Sequence, residues 1–328
     1  MSLRAFANQS VLIGVVVILG PDVNVAFAQS PGPQFIENLV RQPARQKADQ
    51  PGHSIKVDVN MVLVPVTVTD RTGRVVNGLG RENFQVLDES APQQIVSFSN
   101  EDVPTSVGVV FDLSGSMANK MPKARVAVRA FTETANPEDE AFLMTFADRP
   151  KMEVDFTSHF ADIQSGILFA RPGGRTALID AVYLALRQMR SAHNARKALL
   201  VISDGGDNSS RYSEKELRAV AVEADVQIHA IGIHDSPGSW EEMHGPALLE
   251  GLAELTGGQH FVIRDANELT DVAAKIGVAL HEQYVIGYYP PGNSLPGKWR
   301  KIRVKMLVPK GLPTLQVSAR SGYYPPNH

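Results

Sequence analysis

Three short stretches of the chain carry side chains whose types and spacing can do chemistry. Asp112-Leu113-Ser114-Gly115-Ser116 has the form DxSxS, Gly173-Gly174-Arg175-Thr176 adds a hydroxyl, and Ser203-Asp204-Gly205-Gly206-Asp207-Asn208 adds a second carboxylate. Together Asp112, Ser114, Ser116, Thr176 and Asp204 offer five oxygen donors, with neither sulfur nor imidazole among them. Such a set suits a hard cation, Mg2+ first, with Mn2+ or Ca2+ held less tightly. Only two carboxylates leave a divalent ion under-neutralised and open, with waters, to an external anion, and an acidic side chain of a partner fits that vacancy. Gly115, Gly174, Arg175 and Gly205, beside the donors, are the candidates for contacting the ligand, with solvated surface as the plainer reading of Arg175. The same residues have plainer uses. Aspartate and serine are frequent N-caps at strand-to-helix turns, so Ser114 or Ser116 could simply cap a helix, and Asp207 and Asn208 read as capping or loop residues.

What must position these stretches is an alternation of strands and helices. Val107 to Phe111 is an apolar strand, followed by Ala124, Ala127, Val128 and Phe131 at the spacing of one helical face. Ala141 to Phe146 is the next strand; Leu178, Ala181, Val182, Ala185, Leu186 and Met189 form the best helical stripe, and Ala198 to Ile202 is a strand without a polar member. Ser213 with Glu216 is a capping box before a helix faced by Leu217, Val220, Ala221 and Ala224, and Val226 to Ile233 is again strand. Leu248, Leu252 and Leu255 run to the helix stop Gly257-Gly258; a short run Phe261 to Ile263 precedes a helix faced by Leu269, Val272, Ala273, Ile276 and Leu280. The expectation is an α/β domain over residues 104–282 with a doubly wound, mostly parallel sheet. Ligands in such sheets bind beyond the carboxyl ends of the strands, where the three stretches fall.

The flanks follow period two instead. Val62, Val64, Val66 and Val68 share one face, short runs recur at Phe84 to Leu87 and Ile95 to Phe98, and Pro65 argues for an edge position. After Gln283, Tyr284 to Tyr289 is strand-like, Ile302, Val304, Met306 and Val308 alternate with Lys301, Arg303 and Lys305, and Leu315, Val317 and Ala319 repeat the pattern. A free hairpin is marginal, so residues 55–103 and 283–328 are expected to pair into one small antiparallel β-sandwich in which the α/β domain is inserted. Tyr284, Tyr288 and Tyr289 read as sheet packing, and His229, in a strand pattern, as a satisfied, half-buried residue. His229, His234, His244 and His260 show no metal-helix spacing.

Residues 1–28 have the form of a secretory leader: Arg4, an apolar run from Val11 to Gly20, and Ala26-Phe27-Ala28 as a small-x-small cleavage site. Ten apolar residues are too few to span a bilayer, so the expectation is export to the periplasm or beyond after cleavage near Ala28. Residues 29–54, with four prolines and several glutamines, read as a flexible spacer. Over 328 residues there are 32 basic and 35 acidic side chains, a net charge of −3, and no basic block that would suit nucleic acid. The absence of cysteine removes disulfides, thiol nucleophiles and zinc thiolate sites, so an exported chain must rely on core burial.

DxSxS with the distant Thr176 and Asp204 resembles the metal-ion-dependent adhesion site of the von Willebrand factor type A domain, over roughly residues 104–282. The resemblance implies metal held at Asp112, Ser114, Ser116, Thr176 and Asp204, with the hydroxyls coordinating directly and the aspartates often through water. Phe84 to Asp88 (FxVxD), Ser203 to Asn208 (SDGGDN) and Gln283 to Pro291 (QYVIGYYPP) are similar to the von Willebrand factor A-related proteins of acidobacteria. The function expected is binding, not catalysis: metal-dependent adhesion to a protein or peptide carboxylate. Two alternatives stand beside it. Asp112 occupies the place of the nucleophile of haloacid-dehalogenase-type phosphatases, yet residue 114 is serine where they need a second aspartate, and neither a GxSxG elbow nor a GxxxxGKT loop is present. A structural envelope domain with an unused site is the other.

Overall fold

A computed structural model of the chain describes residues 61–204, 206–233, 240–265, 267–292, 297–307 and 314–325, excepting the side chains of 240–245. The expected leader and spacer, the beginning of the first strand run, Val308, Gly205, His234 and the side chain of His244 lie outside the described residues. In chain order the first strands are β1 (Val62–Thr69), β2 (Phe84–Asp88), β3 (Ala91–Gln93) and β4 (Ser97–Ser99). There follow β5 (Thr105–Asp112), α1 (Met121–Thr132), β6 (Glu140–Phe146), β7 (Pro150–Thr157), α2 (Phe160–Leu168), α3 (Leu178–Gln188) and β8 (Arg196–Ser203). Then come α4 (Glu214–Glu223), β9 (Gln227–Ile233), α5 (Trp240–Thr256), β10 (His260–Ile263) and α6 (Leu269–His281). The last strands are β11 (Tyr284–Tyr288), β12 (Arg300–Met306), β13 (Gln316–Ala319) and β14 (Gly322–Tyr323).

The middle of the chain is the expected mixed α/β architecture, a six-stranded sheet in the order β10-β9-β8-β5-β6-β7, parallel except where β7 runs antiparallel to β6. β5 is buried along its whole length because helices cover both faces, which is why its sequence shows no alternation. On one side Val109 and Phe111 pack with the apolar stripes of α1 and α6. On the other, Val110 and Phe142 pack with those of α3, α4 and α5. Gly108 is required where β5 crosses between them, since a Cβ there would overlap the Phe142 and Leu199 side chains. The capping box is formed: the Ser213 hydroxyl accepts from Glu216 N–H at 3.3 Å, and the Glu216 carboxylate accepts from Ser213 N–H at 2.8 Å.

The terminal strands form two four-stranded sheets, β13-β1-β11-β4 and β14-β12-β2-β3, each mixing strands from both ends of the chain. Their shared core holds Val62, Val64, Val66 and Val68 against Phe84, Val86, Tyr284, Ile286, Tyr288, Ile302 and Tyr323. Burying each such valine contributes about 1.5–3 kcal/mol of apolar transfer. The Asp88 carboxylate, fully buried, accepts from the Tyr288 and Tyr323 hydroxyls at 3.0 Å each and from Arg300 Nε at 2.8 Å, fastening first strands to last. The edge position expected for Pro65 is corrected: β1 lies between β11 and β13. Proline is tolerated because β11 pairs with Val62 through Val66 whereas β13 begins only at Val66, leaving one side of Pro65 without a ladder.

One end of the α/β sheet is tied where the chain passes from one architecture to the other. Thr105 N–H donates to Asp139 Oδ1 at 2.8 Å, Arg196 donates to the Leu280 carbonyl at 2.9 Å, and His281 Nε2 lies 3.2 Å from Asp139 Oδ2. The starts of β5 and β8 and the end of α6 are thus gathered together. The carboxyl ends of β5 and β8, with the three candidate stretches, lie at the opposite end.

Candidate metal centre

β5 and β8 are parallel neighbours in a register that pairs Phe111 with Ile202, so Asp112 and Ser203 emerge side by side. Asp112 is fully buried; its Oδ2 accepts from the Ser203 hydroxyl at 2.6 Å and its Oδ1 from Ser114 N–H at 2.7 Å. The second bond folds the first loop back on the strand end. Gly115 to Met117 then make one 3-10 turn with Ser114 at its cap position, but no side-chain capping bond is formed. The Ser114 hydroxyl instead lies 3.0 Å from that of Ser116, so neither serine is used as the cap that local sequence allowed. Ser114 is buried and Ser116 faces solvent.

The second and third loops are braced against the first. Gly173 N–H donates to the Leu113 carbonyl at 2.8 Å and Gly115 N–H to that of Gly174 at 3.2 Å. Thr176, buried, donates its N–H to Asn208 Oδ1 at 2.9 Å, and its carbonyl accepts from the N–H groups of Asn208 and Ser209. Asp207 Oδ1 accepts from Ile179 N–H at 3.1 Å in the first turn of α3, and from the Ser210 hydroxyl at 2.6 Å. Asp207 and Asn208 thus hold loops in place. Gly174 sits at φ +85°, and a Cβ there would come within 2.6 Å of Asp148 Oδ2, which is why this turn is glycine. Arg175 is exposed; its N–H bonds Asp148 Oδ1 at 2.9 Å and its guanidinium reaches the Asn208 carbonyl, fixing it across the loops. Just before them, at the end of α2, Leu168 and Phe169 are 54% and 85% exposed.

Burial, and next the charge of Asp204, push the Asp112 carboxyl up to about 6. Asp204 is itself buried, and Lys120 Nζ lies 3.2 Å from its Oδ2 with only 3% of the lysine side chain exposed. Lys120 lies in none of the sequence motifs, and Ser203, which opens SDGGDN, carried no role there. Lys120 stands at the N-cap of α1, where the helix dipole disfavours a cation and the Asp204 carboxylate offsets that cost. His229 proves fully buried rather than half-buried, and satisfied at one nitrogen instead of both: its Nδ1 accepts from Gln259 N–H at 3.2 Å, its Nε2 is buried without a hydrogen-bond partner among the described residues, and burial pulls its pKa down to about 4, so the ring is neutral.

The donor chemistry fits Mg2+. Among the described residues no group of three or more His, Asp or Glu side chains is disposed to hold a metal, so a cation here would rest on hydroxyls as much as on carboxylates. Adjacent ligands of an octahedral Mg2+ at about 2.1 Å are separated by about 3.0 Å. The Ser114 and Ser116 hydroxyls have that 3.0 Å separation. Two buried carboxylates side by side also favour a cation between them.

Residues 107–206 match the family model of the von Willebrand factor type A domain. An uncharacterized protein of Borreliella burgdorferi is 23% identical over 182 residues, which are 48% of this chain; the chain spans about half, 53%, of that relative's length. Among solved structures, a von Willebrand factor type A protein from Catenulispora acidiphila is similar at TM-score 0.48 and 13% identity, covering 73% of this chain and 72% of its own. The conserved hypothetical protein BatB from Bacteroides thetaiotaomicron gives TM-score 0.42 and 16% identity over 53% and 98%. The vWF domain of the type V pili tip protein Mfa5 from Porphyromonas gingivalis gives TM-score 0.44 and 14% identity over 55% and 97%. The chain thus carries a von Willebrand factor type A domain at residues 107–206, which include Asp112, Ser114, Ser116, Thr176 and Asp204.

Proposed function

We propose that the protein is an exported binding protein that grips an acidic group of a protein or peptide partner through Mg2+ at the sheet edge. Asp112, Ser114, Ser116, Thr176 and Asp204 would hold the ion. When bound, it supplies a Lewis-acidic bridge to a partner carboxylate. The chain's own residues do the rest: Asn208 and Asp207 fix Thr176 and α3, Gly173 and Gly115 lock the first loop to the second, and Ser203 orients Asp112. Leu168 and Phe169 offer apolar contact beside the loops, so a partner carrying an apolar side chain near its carboxylate is favoured. The pairing of the two serine hydroxyls at 3.0 Å, unspent on capping, is the observation that carries this reading.

Among the described residues no helix is long and apolar enough to cross a membrane, and export rests on the leader-like residues 1–28. The FxVxD and QYVIGYYPP motifs extend the resemblance to the acidobacterial proteins to both sides of the α/β domain, and SDGGDN carries it within. Isothermal titration with Mg2+ tests the site. Saturable binding in the native protein, lost in Asp112→Ala, is expected; equal heats in both would overturn it.

A further inference from the structure

The ladder between β1 and β13 ends with Val66 opposite Ala319, and Pro65, which has no N–H, cannot carry it on. Past that end lies a cavity of about 80 Å³, walled by Pro65, Trp299 and Arg320 from the terminal strands and by Arg196, Asp225 and Gln227 from the α/β domain. Gly322 lets the tryptophan wall close in, since a Cβ there would fall 2.4 Å from the Trp299 ring. One water needs only about 10–15 Å³ of such space, so the cavity has room for several waters or one small oxyanion. Both of its guanidinium groups are left incomplete. Arg196, buried at the start of β8, gives Nη1 to the Leu280 carbonyl at 2.9 Å and the His281 carbonyl at 3.3 Å, while its Nη2 is buried without a hydrogen-bond partner among the described residues. Arg320 gives Nη1 to Asp225 Oδ1 at 2.6 Å and Nη2 to the Leu63 carbonyl at 2.5 Å, and its Nε is buried and unpartnered in the same way. The carboxylates whose charge reaches Arg196, those of Asp102 and Asp139, are taken up by His281. Buried N–H donors cost stability until something accepts from them.

We propose that this cavity is a binding site for a small oxyanion, a phosphate or carboxylate group, that accepts from Arg196 Nη2 and Arg320 Nε. Each guanidinium is already anchored through its other nitrogens, so the open N–H groups are held in position before the ligand arrives. Hydrogen bonds from guanidinium to an oxyanion are charge-assisted and stronger than those to the waters they would replace. Arg196 adds no carboxylate of its own to the wall, and Arg320 is balanced by Asp225, so the anion meets a net cationic pair. The ligand takes one arginine from each architecture. It thereby ties the start of β8 and the end of α6, through Arg196, to the last strands of the sandwich, through Arg320. Asp204 follows the carboxyl end of β8, so this site at its amino end is independent of the metal reading.

The test is isothermal titration of the full chain, freed of divalent ions on a chelating resin, with inorganic phosphate and separately with acetate, at pH 7.5 and constant ionic strength in chloride. Saturable binding of at least one anion, with a dissociation constant of about 1 mM or tighter, is expected. Phosphate alone identifies the ligand as a phosphate group, acetate alone as a carboxylate, and either result supports the site. Arg196→Gln and Arg320→Gln should each weaken the binding at least about tenfold, and Asp112→Ala, at the other end of the sheet, should bind as the native chain does. Should Arg196→Gln fail to fold, Arg320→Gln carries the test, because the Asp225 carboxylate it releases is 78% exposed and keeps its hydration. No saturable binding of either anion by the native chain overturns the proposal and leaves the cavity to water. Binding that either folded arginine variant leaves unchanged, or that Asp112→Ala abolishes, overturns it as well.

Discussion

Replacing Asp112 with asparagine should stabilise the metal-free protein while abolishing its response to metal. The rise of the Asp112 carboxyl from 3.8 to about 6 reflects its burial and the charge of Asp204. A carboxyl whose folded pKa is raised costs stability above that pKa and costs nothing below its unfolded value. Above pH 6 the penalty is about 3 kcal/mol, at about 1.4 kcal/mol for each tenfold change in proton affinity. The asparagine side chain would be nearly isosteric. Its carbonyl can keep the bond from Ser114 N–H, and its amide can donate to Ser203, whose hydroxyl accepts as well as donates. After some loss of fit at Ser203, Asp112→Asn should gain at least about 1 kcal/mol over native at pH 7.5 in EDTA. The gap should close as the pH falls from about 6 to about 4. Urea denaturation at both pH values, with and without Mg2+, measures it. Asp112→Asn less stable than native at pH 7.5 in EDTA, or a gap that ignores pH, would refute the electrostatic account of the site.

Other expectations follow from single contacts. Gly174→Ala should cost about 1–3 kcal/mol, because φ +85° and the Asp148 carboxylate oppose a Cβ, and it should weaken Mg2+ binding by displacing the loop that carries Thr176; denaturation and calorimetry measure the two effects. Asp88→Ala leaves Arg300 without its carboxylate and should cost about 3–5 kcal/mol, whereas Tyr323→Phe removes one hydrogen bond and should cost about 1 kcal/mol. His281 is pulled down by burial but lifted further by Asp139 and Asp102, so its pKa lies above the ordinary value. Its stabilisation is present below that ordinary value and lost as pH rises through the folded pKa; His281→Gln should therefore be more damaging at pH 6 than at pH 9, by denaturation at each pH. Phe169→Ala should leave Mg2+ affinity unchanged; calorimetry showing it weakened would mean that Phe169 shapes the loops as well as the surface beside them.

Where burial is one-sided or complete, the sequence displays its structure. The valines at 62, 64, 66 and 68 all turned inward, the stripe from Leu178 to Leu186 became α3, and the apolar runs of β5, β8 and β9 became the buried centre of the sheet. β7 escaped notice because it is a sheet-edge strand, carrying Lys151, Glu153 and Asp155, with no residue fully buried. The helix near Phe169 that precedes the second loop is α2; it buries only Ile163 and Ile167 and holds a glycine at 166, which leaves its bounds without a readable period. Pro65 misled because proline forbids one donor, not a whole strand interior, and its donor side lies beyond the end of β13. The loop stretches were legible since strand ends in parallel sheets collect them. What local spacing cannot show is a charge arriving from a neighbouring helix, and Lys120 was missed for that reason.

The most direct measurement is anomalous diffraction from crystals of the full chain equilibrated with Mn2+. The account predicts one manganese peak among the side-chain oxygens of Asp112, Ser114, Ser116, Thr176 and Asp204, and its disappearance in Asp112→Ala crystals. Saturating Mn2+ with no peak at that sheet edge, or a peak that survives the substitution unchanged, would contradict it.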